Sequence, residues 1–515
     1  MYNSDEDLIE AGVSFKTKTA SQLKSKRFNG KLKIYREFAL ATLSALTVER
    51  KHNLDKGGIP SHFYALDAYS CTGLAAIQWK KHLQGDVHVT AADHDDIRLI
   101  QQNAERNFLR SQPWQLDPIR VPGDPKTAQT DNEIFTCQAD ARPLMAMEAF
   151  QFIYLSPYKN SSTCLEPAFH SLASEGVLNL VVPDLSIFAR APHVVQRAFS
   201  AQVIKTEYLK EMAARTVLAE AARAAAKYSK GISALYVVSQ DDYLLITVQV
   251  HRGQRAVDGS LNNVSHLLHC RFCEERVFLP NQLAPHDDPY SFLTCTCKSK
   301  NLGKTAVILG PMWKDSIFNT DFLSRITKEG NKLGLSAKFS EMASLLLTES
   351  MCSSGAAGKT ISDSQGKPQK SSGMSYGNTE SDGKIPTCNL SEPAEPTKQT
   401  EEIKNTSDQP VVVHALGKET LRCAEDMDSH RKRKADLSKE ESPAKRQRKD
   451  YVEDTKQQNV PFYYNVSRSK KGVAHKLNKL VLLLQNNNHQ ASRTHFDPCA
   501  IRTSASVSQF VQMLD

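Results

Sequence analysis

The chain has 515 residues, 40% of them hydrophobic, which is long and apolar enough for two or more domains with sizeable cores. Its formal net charge is +8, but residues 431–449 alone hold nine Lys or Arg against three acids, a net of +6, so the rest is close to +2. This balance excludes a uniformly basic surface, and no apolar run reaches the roughly 20 residues of a membrane-spanning helix, so no membrane association is expected.

The first 30 residues are predicted to form a basic N-terminal arm. Residues 1–10 are polar and acidic and show no secretory signal. Residues 16–36 then carry eight basic side chains and no acid, with Phe28 and Tyr35 interleaved. Such a stretch suits a phosphate backbone and unstacked bases, although an exposed, solvated arm explains it equally well.

Helix and strand patterns alternate from residue 31 to about residue 255. An amphipathic helix begins near Lys31. Apolar runs then predict strands at 63–66, 87–92, 134–137, 152–155, 177–182 and 243–250, and helices at 74–83, 97–108 and 207–228. Repeated strand–helix units predict an α/β fold with a mostly parallel sheet, helices on both faces and a closing antiparallel pair.

The composition changes beyond residue 349. Up to about residue 459 the chain is rich in Ser, Lys, Gly, Glu and Pro and poor in aromatics, so it cannot bury a core and is predicted to be disordered. Order is expected to return at residues 461–465, followed by a helix at 477–484.

Acidic residues follow successive predicted strands, at the edge where open parallel sheets bind ligands. Asp67 ends the first strand and opens a turn of mostly small residues, up to Gly73, which lets the backbone approach a ligand. Asp93 ends the second strand and can accept hydrogen bonds from ribose hydroxyls, and Asp140 follows the third and can accept an adenine amine. Each acid could instead cap a helix, but three in order predict a nucleoside site.

The fourth strand ends in Ser156, Pro157 and Tyr158, which we predict as the catalytic turn. The exocyclic amine of a base is a poor nucleophile because its lone pair is delocalised into the ring. A polar acceptor for its N–H favours a pyramidal nitrogen as a methyl group arrives, and an aromatic neighbour can stack on an extruded base. Proline stiffens such a turn. The alternative is an ordinary turn at the end of a strand.

Four stretches resemble the family that dimethylates guanine N2 in tRNA, and most of all its branch called tRNA methyltransferase 1-like. They are 67–73, 140–142, 206–215, and 492–498 followed by 501–503. The resemblance implies a class I, Rossmann-like S-adenosylmethionine-dependent methyltransferase domain at 31–255. It also implies a smaller α+β tRNA-binding domain made of 256–348 and 460–515, interrupted by the disordered insertion 349–459.

The resemblance also implies roles for individual residues. By position, Arg36, Asp93, Asp140 and Ala141 would contact S-adenosylmethionine, together with the turn from Asp67 to Gly73. Two departures stand out. Arginines usual in the helix after that turn are replaced by Ala75 and Gln78. The family's Asp-Pro-(Phe/Tyr)-Gly turn is Ser156-Pro157-Tyr158-Lys159, in which serine can still accept one hydrogen bond from an amine.

Eleven cysteines in a chain without a secretory signal indicate a reducing compartment, where clustered cysteines favour metal over disulfides. Cys270-x2-Cys273 and Cys295-x-Cys297 predict a structural four-thiolate zinc site, although the second spacing is tighter than usual. The family resemblance places a similar cluster here. The alternatives are reduced thiols without metal, or a site completed by His269 or His286.

Two basic clusters lie in the predicted disordered segment, separated by ten residues. They are Arg431, Lys432, Arg433 and Lys434, and Lys445, Arg446, Arg448 and Lys449. This spacing resembles a bipartite nuclear import signal, which implies an import receptor and a nuclear, even nucleolar, location. The alternative is a tail that binds RNA without specificity.

Two functions follow from the sequence. The first is a tRNA methyltransferase that transfers one or two methyl groups from S-adenosylmethionine to guanine N2. The alternative, suggested by Ser156 in the catalytic turn, is a catalytically weak or inactive tRNA-binding homologue that acts as an RNA chaperone or scaffold.

Overall fold

The structure is a computed structural model that describes ten stretches of the chain. They are residues 7–18, 28–55, 63–95, 97–115, 132–158, 161–280, 288–300, 305–353, 462–466 and 477–514. Several predicted features therefore lie outside the described residues. These are Lys159, His286, both basic clusters of the import signal and residues 354–459 of the predicted disordered segment.

The elements up to residue 252 alternate as the sequence predicts. In chain order they are β1 Leu8–Glu10, β2 Val13–Phe15, α1 Lys33–Asp55, β3 Tyr64–Ala68, α2 Leu74–Leu83, β4 His88–Asp93, α3 Arg98–Arg106, β5 Arg110–Pro113, β6 Glu133–Gln138, α4 Ala141–Met147, β7 Phe150–Leu155, α5 Leu165–Ser171, β8 Leu172–Val182, α6 Ile187–Arg190, α7 Pro192–Phe199, α8 Leu209–Ala226, β9 Lys230–Gln240 and β10 Tyr243–Arg252.

The elements of the second half are shorter and form two small sheets with flanking helices. They are α9 Gln254–Asn262, β11 Val264–Cys270, β12 Arg276–Phe278, α10 Cys297–Lys300, β13 Ala306–Trp313, α11 Thr320–Lys332, α12 Ala337–Ser353, β14 Tyr464–Asn465, α13 Leu477–Asn486, β15 Ala491–Arg493, β16 Ala500–Thr503 and α14 Val507–Leu514. No helix in the described part of the chain is long and apolar enough to cross a membrane.

An eight-stranded sheet in the order β5-β6-β4-β3-β7-β8-β10-β9 carries the first half of the chain. Only β10 runs against its two neighbours, which confirms the predicted antiparallel pair at the end of a parallel sheet. Every residue of β4 and all but one of β7 are buried, as expected for strands covered on both faces. In the sheet, β3 lies between β4, which follows it in the chain, and β7, which comes after β6. The strand order therefore reverses at β3.

The predicted strands and helices are found within a few residues of their expected limits, and the helix at Leu74–Leu83 is confirmed at both ends. The edge strand β5 was not predicted, because its sequence Arg-Ser-Gln-Pro is polar and mostly exposed and gives no apolar pattern.

Part of the predicted basic arm is an ordered hairpin. Strands β1 and β2 pair with each other, and Val13 and Phe15 are fully buried. Asn107 accepts a hydrogen bond from the Ser14 backbone N–H and donates one to the Ser14 carbonyl. The predicted basic arm therefore includes an ordered hairpin, which the sequence did not indicate because its alternation of apolar residues is too short to stand out.

The apolar core does not stop at the predicted domain boundary near residue 255. Helices α11 and α12 pack on α1, and the rings of Phe38 and Phe339 lie 4.7 Å apart. The Ser336 hydroxyl donates a hydrogen bond to the Glu37 carboxylate at 2.7 Å. Helix α12 also continues to Ser353, so its last turn overlaps the predicted start of the disordered segment.

A buried network of charges ties the C-terminal residues to the rest of the chain. Arg502 is fully buried and donates hydrogen bonds to Glu211 on α8 at 2.7 Å and to Glu349 on α12 at 3.0 Å. Arg215 forms a second ion pair with Glu211 at 2.9 Å, and His495 bonds Glu349 at 2.6 Å. Each buried carboxylate is thus held by two basic side chains and by further hydrogen bonds, among them one from the Phe462 backbone N–H to Glu211 and one from the Thr494 hydroxyl to Glu349. These contacts offset the cost of removing the carboxylates from water.

Burial opposes ionisation of Glu349, but the nearby positive charge of His495 and Arg502 lowers its pKa to about 2. A carboxylate whose folded pKa is depressed contributes its full stability above its unfolded pKa. That contribution is lost as the pH falls from about 4.5 towards 2.

We expect Arg502→Met to lower the free energy of unfolding by about 3–5 kcal/mol at pH 7, because it leaves two carboxylates buried without their shared cation. Urea-induced unfolding followed by circular dichroism measures this change. Arg493→Met, at an exposed position of the neighbouring strand, is the matched control and should change the free energy by less than about 0.5 kcal/mol. Equal effects of both substitutions would contradict the role of the network.

Candidate active site

A cleft that is open to solvent lies at the carboxyl ends of β3, β4 and β7, where the strand order reverses. Six of the residues that line it are Arg36, Asp67, Asp93, Ser156, Pro157 and Tyr158. The structure therefore brings together the predicted catalytic turn and three of the predicted cofactor-binding residues. This is the position at which ligands bind in open α/β sheets.

The turn between β3 and α2 needs a glycine at its last position. Gly73 has φ +75°, and a Cβ built on it would lie 2.6 Å from the side chain of Ile100. Any other residue would therefore be strained and would also collide with α3. Gly73 thus allows the turn to pack closely against α3, but it is not among the residues that line the cleft.

Asp93 is held rigidly at the end of β4. Its two carboxylate oxygens accept backbone N–H bonds, one from Cys71 at 2.6 Å and one from Asp95 at 2.9 Å. Only 6% of the residue is exposed, yet it lines the cleft. Each carboxylate oxygen keeps a further lone pair, so Asp93 can accept two hydroxyl groups from a ligand.

Asp67 lies deeper in the cleft and is 2% exposed. Burial raises its pKa to about 7, although hydrogen bonds from the Ala76 backbone N–H and from Ser70 oppose this rise. The bond from Ala76 is 3.2 Å long and joins Asp67 to the first turn of α2. Asp67 therefore links the end of β3 to α2 and places an acid with a near-neutral pKa beside the cleft.

Arg36 is fastened by a residue that sequence reasoning missed. Its Nε and one terminal nitrogen each donate to Glu10 at 2.7 Å, and its other terminal nitrogen donates to the Asn29 carbonyl at 3.3 Å. Gln78 donates to the Glu10 carboxylate at 3.2 Å. The β1–β2 hairpin thus orients Arg36, whose remaining N–H groups can serve a ligand. Glu10 lay in the predicted arm, so no sequence signal marked it.

Asp140 and Ala141 are not among the residues that line the cleft. Asp140 caps α4 and forms an ion pair with Arg142 at 2.6 Å, and the Tyr69 hydroxyl donates to it at 3.3 Å. The hydrogen bond from Arg142 lowers the pKa of Asp140. Tyr69 itself lines the cleft, so its hydroxyl connects Asp140 to the cleft.

The turn predicted to be catalytic follows β7 and lies beside β3. The Ser156 backbone N–H bonds the Ala68 carbonyl at 3.5 Å, which holds the turn against β3. Tyr158 exposes 62% of its surface at the cleft, an unusual position for a large ring. A hydroxyl acceptor and an exposed aromatic ring therefore stand side by side, as binding of a planar base requires.

Four cysteines converge in the second half of the chain. The sulfur atoms of Cys270, Cys273, Cys295 and Cys297 all lie within 4.8 Å of one another, and none forms a disulfide. Tetrahedral zinc with bonds of about 2.3 Å would bring four sulfurs to roughly this spacing, so the donor set fits the ion. Burial opposes ionisation of Cys270, but hydrogen bonds from the Cys273 and Phe272 backbone lower its pKa.

His269 is not among the residues whose ligand atoms converge in this cluster. Its Nδ1 is bonded to the Tyr208 hydroxyl at 2.7 Å, and the residue is buried. A site completed by His269 is therefore not supported by the geometry, while His286 lies outside the described residues.

The chain matches known proteins over most of its length. The family model described as N2,N2-dimethylguanosine tRNA methyltransferase matches residues 12–356. The tRNA (guanine(27)-N(2))-dimethyltransferase of Rattus norvegicus is 32% identical over 502 residues, which cover 95% of this chain and 60% of that protein. The tRNA (guanine(26)-N(2))-dimethyltransferase of Methanobrevibacter smithii is 22% identical over 316 residues, which cover 60% of this chain and 71% of that protein.

A solved structure shares the fold. The complex of Trm1 from Pyrococcus horikoshii with S-adenosyl-L-methionine aligns with a TM-score of 0.62 and 17% identity, covering 99% of both chains. The predicted methyltransferase fold with a mixed α/β sheet is therefore confirmed. The chain spans about 60% of the length of the mammalian relatives that it matches.

We expect Asp93→Asn to weaken S-adenosylmethionine binding by about 1–3 kcal/mol, or roughly 5- to 150-fold in Kd, because it removes a charge that hydrogen-bonds hydroxyl groups. Asp140→Ala should have a smaller effect, since Asp140 must first release Arg142. Isothermal titration with the purified chain gives both constants. Glu105→Gln, at an exposed site on α3, is the control. An unchanged Kd for Asp93→Asn would remove that residue from the site.

Proposed function

The chain belongs to the N2,N2-dimethylguanosine tRNA methyltransferase family, and from this premise we propose that it transfers methyl groups from S-adenosylmethionine to N2 of a guanine in tRNA. One observation carries the proposal: Arg36, Asp93 and the turn Ser156–Tyr158 line a single cleft at the switch point of the sheet. The relatives are named for guanine 27 and guanine 26, so the target is expected near these positions.

The residues around the cleft fit S-adenosylmethionine. When bound, this group supplies an electrophilic methyl on a sulfonium sulfur. Asp93 offers two lone pairs to ribose hydroxyls, and Arg36 offers its remaining N–H groups to a carboxylate. Ala75 lines the cleft where the family has an arginine, so one charged contact is missing and the affinity is expected to be lower.

The base would be held by the catalytic turn. Tyr158 offers its exposed ring to an extruded guanine, and Ser156 accepts a hydrogen bond from the exocyclic amine. Accepting this bond favours the pyramidal nitrogen that attacks a methyl group. The methylated nitrogen then loses its proton, and since the cleft is open to solvent, water can take that proton.

We propose tRNA as the partner and zinc as a structural ion. The four cysteines would hold zinc through their thiolates and fasten the loop after β11, within the segment proposed to hold tRNA. The catalytically weak tRNA-binding alternative rests on Ser156 in place of the family's aspartate. The names of the relatives, which are those of dimethyltransferases, favour the enzyme.

A nuclear, even nucleolar, location is proposed from sequence. Two basic clusters, 431–434 and 445–449, have the spacing of a bipartite import signal, which implies recognition by an import receptor. Both clusters lie outside the described residues.

We expect the purified protein to transfer methyl groups from labelled S-adenosylmethionine to unmodified tRNA, and Ser156→Ala to lower kcat by 10-fold or more, because the amine loses its acceptor. Nucleoside analysis of the tRNA would show N2-methylated guanosine. Ser156→Asp restores the family's carboxylate and should raise kcat above that of Ser156→Ala. Binding of tRNA without any transfer, by the wild type and by Ser156→Asp, would favour the non-catalytic alternative.

We expect one zinc ion per chain by elemental analysis, and its removal by a chelator to lower the melting temperature, because structural zinc stabilises the segment that it binds. Cys273→Ser should remove the ion. Cys499→Ser changes an exposed cysteine outside the cluster and should keep it. A chain that contains no zinc, or one whose stability is unchanged by chelation, would exclude the structural role.

A further inference from the structure

Three polar side chains are joined by hydrogen bonds across the antiparallel end of the large sheet. The Ser233 hydroxyl on β9 lies 3.0 Å from Nε2 of His251 on β10. Nδ1 of the same histidine lies 3.0 Å from a carboxylate oxygen of Glu175 on β8. One imidazole therefore connects an alcohol and an acid through its two different nitrogens.

These three residues lie apart from the candidate methyltransferase site. None of them is among the residues that line the cleft. Glu175 belongs to the first half of β8, whereas Val181, which does line the cleft, lies at the other end of that strand. The three side chains therefore form a separate cluster that methyl transfer does not use.

The backbone of β8 bulges where it carries Glu175. This residue has φ +61°, in the left-handed region that few residues other than glycine adopt. The pairing of β8 with β7 shifts register across this stretch, and the Glu175 carbonyl accepts a hydrogen bond from the Gln249 side chain at 3.3 Å. A Cβ built on Gly176 would lie 2.8 Å from the Ala173 carbonyl oxygen. A bulge of this kind re-aims a side chain, and the surrounding structure has to hold it in place.

The two nitrogens of His251 are used in the way that acyl transfer requires. A carboxylate beside Nδ1 fixes the tautomer that carries its proton there, so Nε2 is left to accept the proton of Ser233. The side chain of His251 is 32% exposed, and Ser233 is exposed as well. A substrate can therefore reach the serine hydroxyl while the imidazole acts as its base.

A surface pocket adjoins the serine and the histidine. Both residues line it, together with Trp313 and Phe318, whose rings give it apolar walls. Asp315 also lines the pocket and would repel a substrate that carries a carboxylate. The pocket therefore suits a small, uncharged acyl group.

A backbone donor points to the same edge of β9. The Ile232 backbone N–H donates to the Ser260 hydroxyl at 3.2 Å, away from the paired strand β10. Because the direction of the N–H groups alternates along a strand, the N–H of Ala234 points to the same side, and Ala234 lines the pocket. The N–H of the residue after the nucleophile is a donor that can stabilise the oxyanion of an acyl-transfer intermediate.

We propose that Ser233, His251 and Glu175 form a second catalytic site, which hydrolyses small, uncharged carboxylic esters. The Ser233 oxygen forms a bond to the acyl carbon, and its proton passes to Nε2 of His251. The bond between the acyl carbon and the alcohol oxygen breaks, and the alcohol leaves with that proton. Water then attacks the acyl-serine, its proton returns through His251 to Ser233, and the carboxylic acid is released. This activity does not depend on methyl transfer.

Diisopropyl fluorophosphate tests the site in the full wild-type chain. An activated serine forms a bond to its phosphorus as fluoride leaves. We expect one label per chain, located on Ser233 by peptide mass spectrometry, with labelling slowed by p-nitrophenyl acetate as a competing ester. The unlabelled chain should release p-nitrophenol from that ester, and labelling should abolish this activity.

Substitutions separate an activated serine from one that is merely exposed. Ser233→Ala should remove the label and reduce ester hydrolysis to that of the fully labelled wild type. His251→Gln should slow labelling by about 100-fold and Glu175→Gln by about 10-fold or more, because they remove the base and the acid that orients it. The controls Ser344→Ala and Glu341→Gln change exposed residues of α12 and should leave both reactions unchanged.

The wild-type result needs no variant and is therefore independent of misfolding. A wild type without label on Ser233, or one that labels Ser344 as fast as Ser233, would overturn the proposal. Labelling of Ser233 that survives His251→Gln would also overturn it. Methyl transfer to tRNA should be the same in Ser233→Ala as in the wild type, so a failure of the proposed methyltransferase would be seen separately.

Discussion

The buried Arg502 holds the two halves of the chain together through its ion pairs. It is fully buried between Glu211, on a helix that packs against the large sheet, and Glu349, at the end of α12. Burying one of these charges alone would cost several kcal/mol, and the pairs compensate only together. The C-terminal segment that contains β16 is therefore held in one register. Shifting β16 by one residue would turn Arg502 away from both carboxylates.

The same principle operates at the cleft on a smaller scale. Asp93 is fixed by two backbone N–H groups, and Arg36 is fixed by the Glu10 carboxylate. Groups that are already oriented lose little entropy when a ligand binds. The hairpin at the start of the chain thus takes part in the site, although Glu10 is not itself among the residues that line the cleft.

The chemistry at the turn differs from that of a carboxylate. A carboxylate accepts hydrogen bonds whatever surrounds it, whereas a serine hydroxyl depends on its neighbours to decide between donating and accepting. Ser156 can therefore accept a hydrogen bond from an amine or donate one to a carbonyl.

The sequence by itself determined the α/β class, the order of the strands and helices, the acids at the strand ends and the paired cysteines, because these follow from local periodicity and spacing. Tertiary structure decided that Glu10 fastens Arg36 and that Asp140 pairs with Arg142. Periodicity reports which face of an element is buried, but it does not report which distant residue covers that face. The ion pair between Arg502 and Glu211, 291 residues apart, exists only once the chain has folded.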